Sequence, residues 1–265
     1  MSASLPDAEP GVTELKIMKT TGSSSADSNH RQFATTQWSL VAAMGADDEA
    51  RSRAALEELC TRYWYPLYAW LRRSGSAHPD AEDLVQSFLL DLIEHRRIEV
   101  ADPERGRFRS FLLASLKNFR ANQFRGKQAI KRGGGVRQLS LDFSTAAQNW
   151  EQEPSHDLTP DHLFDRKWAL QLIERSLQQL EVASVARGRG ELFLLIKPVL
   201  IGGESELGYQ GIADQRKMSL GAVKVAVHRW REQLREIIRE EIRQTVTEEA
   251  EIEGELEHLF RVLTE

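Results

Sequence analysis

The chain has a single cysteine in 265 residues. Cys60 therefore cannot close an intramolecular disulfide, and no Cys/His cluster has the spacing of a zinc site. No uncharged apolar stretch approaches the ~18 residues a membrane span needs. A positively charged start followed by an apolar run is also missing from the N-terminus. The sequence thus predicts a cytoplasmic protein with no membrane partner. No segment reads as a convincing strand. No Ser/His/Asp or Cys/His arrangement and no Gly-rich phosphate loop stands out, so neither an enzyme nor a cofactor is expected.

The most informative absence is local. Between Arg105 and Arg137 there are ten Lys/Arg and no Asp or Glu. The chain as a whole has a net charge of -5, so removing those ten charges leaves about -15 elsewhere. A basic block kept free of acids inside an acidic chain predicts a localised anion surface. The anion it fits best is a nucleic-acid backbone.

What is present is helical periodicity, which predicts an all-α fold of two small helical domains joined by a flexible linker. Residues 1–32, rich in Ser, Ala, Asp and Gly, read as a disordered leader. Residues 33–130 form the first expected domain, in which Ser39 to Met44 reads as a short helix. From Glu49 to Arg73, Leu56, Leu59, Tyr63, Leu67 and Trp70 recur near helical spacing, with a kink expected at Pro66. His78-Pro79-Asp80 opens the next helix, whose buried side is read as Leu84, Val85, Phe88, Leu89, Leu92 and Ile93. A third helix follows from Phe108, with Phe111, Leu112, Ser115, Leu116, Phe119 and Gln123 on one face.

Residues 131–160, which begin near Gly133-Gly134-Gly135 and contain Pro154, read as the linker. Residues 161–246 are helical again and end in an expected helix-turn-helix. Residues 247–265 form an acidic tail. In the second domain, Ser219 suits the N-cap of a helix in which Val223, Val227, Trp230, Leu234 and Ile237 form a buried stripe. Beside the stripe run Lys224, His228, Arg231 and Arg235. Glu232, Glu236 and Glu240 offer ion-pair partners in the C-terminal half, as on any solvated helix face. From Ser219 to Arg231 there is no acid, and that half fits a DNA major groove.

In the basic block Phe108, Phe111, Phe119 and Phe124 sit among the cations. Aromatics interleaved with Lys/Arg suit single-stranded nucleic acid, though at helical spacing they are more often core. Burial is expected for Phe111 and Phe119. Contact is expected from Lys117, Asn118, Arg120, Asn122 and Arg125, with the two asparagines suited to an adenine edge. Lys127, Lys131 and Arg132 extend the same surface.

Three stretches resemble a bacterial RNA polymerase sigma factor of the sigma-70 family, extracytoplasmic-function (ECF) type. Asp80-Ala-Glu-Asp-Leu-Val-Gln-Ser-Phe-Leu-Leu-Asp-Leu resembles the helix that docks on the polymerase clamp. Phe108-Arg-Ser-Phe-Leu-Leu-Ala-Ser-Leu-Lys-Asn-Phe-Arg, ending near Arg125, resembles the elements that open and read the minus-ten promoter element. Tyr209 to Leu234 resembles the domain that reads the minus-thirty-five element.

The resemblance implies a transcription initiation factor whose partners are core RNA polymerase and promoter DNA, duplex and melted. An anti-sigma factor is a further partner it allows. It assigns Asp80, Glu82, Asp83, Gln86 and Leu89 to the polymerase. It assigns Lys117, Asn118, Arg120 and Arg125 to the minus-ten DNA, and Lys224, Val225, His228 and Arg229 to the upstream element. Lys217 stands where the family usually has Gly, and since a Cβ strains positive φ, a differently shaped turn is expected. Phe111 stands where the family commonly has Trp.

Two other classes remain open on the residues alone. One is a helix-turn-helix regulator that does not dock on polymerase. The other is an enzyme using Asp80, Glu82 and Asp83, or Glu248, Glu249 and Glu251, as metal-binding carboxylates.

Overall fold

The computed structural model describes residues 49–94, 107–126, 146–151, 158–246 and 248–264. The leader, the Ser39 to Met44 helix and most of the linker lie outside the described residues. Among the described residues every regular element is an α-helix: α1 (Glu49–Arg73), α2 (His78–Glu94), α3 (Phe108–Gly126), α4 (Ala146–Glu151), α5 (Pro160–Ala186), α6 (Gly190–Leu200), α7 (Gly208–Arg216), α8 (Leu220–Arg243) and α9 (Glu251–Thr264).

These helices divide into two compact units whose boundaries fall inside α5 and α8. The first takes in residues 49–173 and Arg239–Val262. The second is Glu174–Ile238, to which Leu263 and Thr264 are also assigned.

In the first unit α1 contributes Leu59, Cys60, Tyr63, Leu67, Tyr68 and Trp70 to the core. Burial pushes the Cys60 thiol up to about 12, with the Glu57 charge adding to the shift. Gly75, at φ +91°, closes α1. Its N–H bonds to the Arg72 carbonyl at 3.0 Å and the Ser76 N–H to the Leu71 carbonyl at 3.0 Å. This is the pair of bonds of a Schellman turn, which needs a left-handed residue between helix and exit. Helix α2 buries Ala81, Val85, Phe88, Leu89 and Leu92. Rings join the three helices, with Tyr63 and Phe108 centred 5.5 Å apart and Phe88 and Phe119 5.7 Å apart. Phe108, Leu112, Leu116 and Phe119 are the buried positions of α3, whereas Phe111 is only half-buried. The expected burial of Phe111 is thus corrected, because Phe108 takes the inward position at the start of the helix.

In the second unit Leu177, Leu180, Phe193, Ile196, Leu200, Ile212 and Ala213 are buried with the α8 stripe Val223, Val227, Trp230, Leu234 and Ile238. Phe193 and Trp230 meet edge to face at 5.4 Å. Ile237 is half-buried and Ile238 takes the inward place. Spacings of four, three, four and three average 3.5 residues, so after several turns of a 3.6-residue helix the inward position moves on by one.

Helices α7 and α8 are connected by Lys217, Met218 and Ser219. Lys217 has φ 52°, the positive φ of a residue other than glycine among those described. Its N–H bonds to the Asp214 carbonyl at 3.3 Å, and the Met218 N–H to the Ala213 carbonyl at 2.9 Å. This is the turn that closes α1, built on lysine instead of glycine. The expectation of a differently shaped turn is therefore corrected: the lysine takes the left-handed conformation and bears its strain.

Candidate nucleic-acid and partner interfaces

On α2 the residues proposed to meet a partner separate by burial. Asp80 and Asp83 are exposed, and Glu82 and Gln86 are half-buried. Glu82 lies 3.5 Å from His78 Nε2, and His78 Nδ1 is hydrogen-bonded to the Tyr68 hydroxyl at 2.9 Å. Leu89 is 0% exposed. Its place in a partner surface is corrected, because it is a core residue with no area to offer.

On α3 an exposed stripe runs Ser110, Ala114, Asn118 and Asn122 at four-residue spacing, with Lys117 and Ala121 beside it. Asn118 and Asn122 have no side-chain hydrogen-bond partner among the described residues. The small residues leave the helix backbone open to close approach by another chain. The sequence reading named the asparagines and left out Ser110, Ala114 and Ala121, which share their exposed side of the helix.

The cations beside this stripe are engaged. Lys117 Nζ lies 2.6 Å from Asp161 Oδ2 and 5.8 Å from the centre of the Trp70 ring. Arg120 donates to the Ser74 carbonyl at 2.8 Å, with its guanidinium 5.5 Å from the same ring. Desolvation pushes the Asp161 carboxyl up. Hydrogen bonds from Lys117 and Trp70 outweigh that, and its pKa lies below the ordinary value. The side chain of Arg125, together with Lys127, Lys131 and Arg132, lies outside the described residues.

At the start of α3 two arginines are taken up completely differently. Arg109, 4% exposed, donates from Nε to Glu255 Oε1 at 2.7 Å and from Nη2 to Glu255 Oε2 at 3.0 Å. Its Nη1 donates to Asp165 Oδ1 at 2.8 Å, and Asp165 Oδ2 is 3.1 Å from His258 Nε2. Arg107 Nη1 reaches the same Glu255 carboxylate at 3.0 Å. Burial alone would lower the Arg109 pKa, but the Glu255 and Asp165 carboxylates outweigh it and raise it. A related buried pair joins Arg62 to Glu241 at 2.6 Å. These contacts had no sequence signal, since Glu255 looks like any acid of the tail and lies 146 residues from Arg109.

On α8 the Ser219 hydroxyl accepts the Ala222 N–H at 3.1 Å, the expected N-cap. Lys224, Val225, His228 and Arg229 are all exposed, Val225 by 50%. Lys224 and Arg229 have no ion-pair partner among the described residues, while His228 Nδ1 lies 3.5 Å from Glu232. Arg231 departs from this group. It is half-buried and donates to the Val199 carbonyl at 2.8 Å, which makes it a brace between α8 and α6.

Among the described residues no group of three or more His, Cys, Asp or Glu could hold a metal ion, and no helix is long and apolar enough to cross a membrane.

Among the described residues, then, the elements are all helical, with exposed amide side chains on α3 and exposed cationic side chains on α8. Residues 59–130 match the family model described as Sigma-70 region 2. The matched stretch begins in α1 and contains all of α2 and α3. The similarity is to that one region of the sigma-70 family and concerns this stretch of the chain. No curated protein and no solved structure matches the chain.

Proposed function

We propose that this chain is a cytoplasmic transcription initiation factor of the extracytoplasmic-function type, with two DNA-reading surfaces and one polymerase-docking surface. The observation that carries the reading is the Sigma-70 region 2 match over a helix whose outer stripe presents exposed Asn118 and Asn122. Asp80, Asp83 and Gln86 on the outer side of α2 dock on core polymerase. Asn118 and Asn122 read bases of the melted minus-ten strand, where amide edges can discriminate adenine. Unstacking those bases costs a few kcal/mol, offset by base contacts and phosphate neutralisation.

Helices α7 and α8 act as a helix-turn-helix on the minus-thirty-five element. Ser219, Lys224, Val225, His228 and Arg229 lie on the N-terminal half of α8, the half that enters the major groove in such motifs. The exposed lysine and arginine there, with no ion-pair partner among the described residues, neutralise phosphates.

The test is to mix the purified chain with sigma-free core RNA polymerase and follow gel filtration. The expected result is co-elution, weakened by Asp83→Arg with Gln86→Ala. Absence of a complex, together with salt-sensitive binding of the free chain to specific duplex DNA, would instead identify a helix-turn-helix regulator that does not dock on polymerase.

A further inference from the structure

The first described cations of the acid-free basic block are already engaged. Arg107 and Arg109 are both held by one carboxylate, Glu255, on a helix more than a hundred residues downstream. Glu255 is 0% exposed. Helix α9, which carries it, is amphipathic, with Ile252, Leu256, Leu259 and Val262 buried and Glu253 and Glu257 facing solvent. The segment leading into α9 touches the same place, since the Thr245 carbonyl accepts the Phe108 N–H at 3.1 Å. Around the start of α3, then, the C-terminal segment supplies a carboxylate to two guanidiniums and a carbonyl to a backbone N–H.

A buried carboxylate between arginines is a poor device for stability alone. Desolvating both signs is costly, and an apolar contact of similar volume would serve as well or better. What the ionic contact provides is exchangeability: another anion can replace the one that leaves. The groups Glu255 satisfies are those a phosphate would satisfy, since guanidinium forks bind carboxylate and phosphate in the same bidentate geometry.

We infer that α9 is an intramolecular lock, in which Glu255 occupies Arg107 and Arg109 as a stand-in for nucleic-acid phosphate. Release of α9 extends the α3 surface from Asn118 and Asn122 back to the start of the helix. The inference rests on the proposed use of α3 against single-stranded DNA, but not on polymerase docking.

The experiment measures binding of the full chain to a mixed-sequence single-stranded DNA oligonucleotide by fluorescence anisotropy across a salt series. Glu255→Gln is expected to tighten binding by roughly three- to tenfold at 0.1 M salt and to steepen the salt dependence by about one to two phosphates. Adding Arg107→Gln to that variant should remove most of the gain, and Glu257→Gln, on the exposed side of α9, should leave binding unchanged. Unchanged affinity in a folded Glu255→Gln protein overturns the lock.

Should that variant fail to fold, amide exchange in the unaltered chain decides. Amides of α9 exchanging well before those of α1 support a helix that detaches by local opening. Exchange of both at one rate overturns it, because α9 would then leave only on global unfolding. Failure of polymerase binding alone leaves both readouts standing and so separates this inference from the proposed function.

Discussion

The start of α3 and the N-terminal half of α8 are both cationic, and they hold their cations in opposite states. Arg109 is 4% exposed and its guanidinium is shared between two carboxylates. Lys224 and Arg229 are exposed and have no ion-pair partner among the described residues. The two regions have similar composition and would draw the same conclusion from a charge count. The physical difference lies in desolvation: a buried arginine meets an outside anion only after the carboxylate that neutralises it has left, whereas an exposed one is available to whatever anion arrives. Lys117 stands between them, with its side chain 42% exposed and paired to an Asp161 that is 52% exposed.

The sharpest way to break the comparison is to truncate one cation in each region. Arg109→Ala should destabilise the protein by about 3–5 kcal/mol, because it takes from the fully buried Glu255 the guanidinium that binds both its oxygens. Urea unfolding measures this through the midpoint. Lys224→Ala with Arg229→Ala should change stability by no more than about 0.5 kcal/mol. The same double variant should abolish promoter-directed transcription while polymerase binding persists, and its duplex-DNA salt slope should fall by nearly two units. Loss of transcription and of polymerase binding together would contradict separate roles.

Smaller effects refine the middle ground. Lys217→Gly removes left-handed strain at the turn between α7 and α8 and should stabilise the protein by about 0.5–1 kcal/mol, read as a raised Tm. Asp161→Asn should have the least effect, because the pair it breaks is largely solvated and screened. Its signature is in the pH profile. The folded Asp161 pKa is depressed, so its contribution is present above the unfolded value and is lost as pH falls through the folded one. Stability of the unaltered chain and of Asp161→Asn should therefore converge in acid.

Much of the helical architecture was legible in the sequence, because burial repeats with the helical period. Tyr63, Leu67 and Trp70 in α1 and Val223, Val227, Trp230 and Leu234 in α8 lie inward as their spacing predicts. Legibility failed at helix ends and over long spans. Phe108 displaced Phe111 and Ile238 displaced Ile237, since a period fixes a face but not where along the helix the packing begins and drifts. Leu89 read as both a core and a partner residue, and its complete burial decides for the core. At Lys217 backbone hydrogen bonds overrode the residue's own preference. The Glu255 contacts were invisible, because nothing in a run of acids says which one will be buried. For the same reason Asn118 and Asn122 could be read as contact residues but Lys117 and Arg120 could not be read as already engaged.

The lone thiol turns the core into a clock. Cys60 is 3% exposed and burial pushes its pKa up to about 12, so near pH 8 it is held as the unreactive thiol. With no other cysteine in the chain, each alkylation event dates one opening of the α1 core. Timing that reaction needs neither a dye on the surface nor an introduced residue. It converts the absence of other cysteines into a stopwatch for how often the first unit breathes.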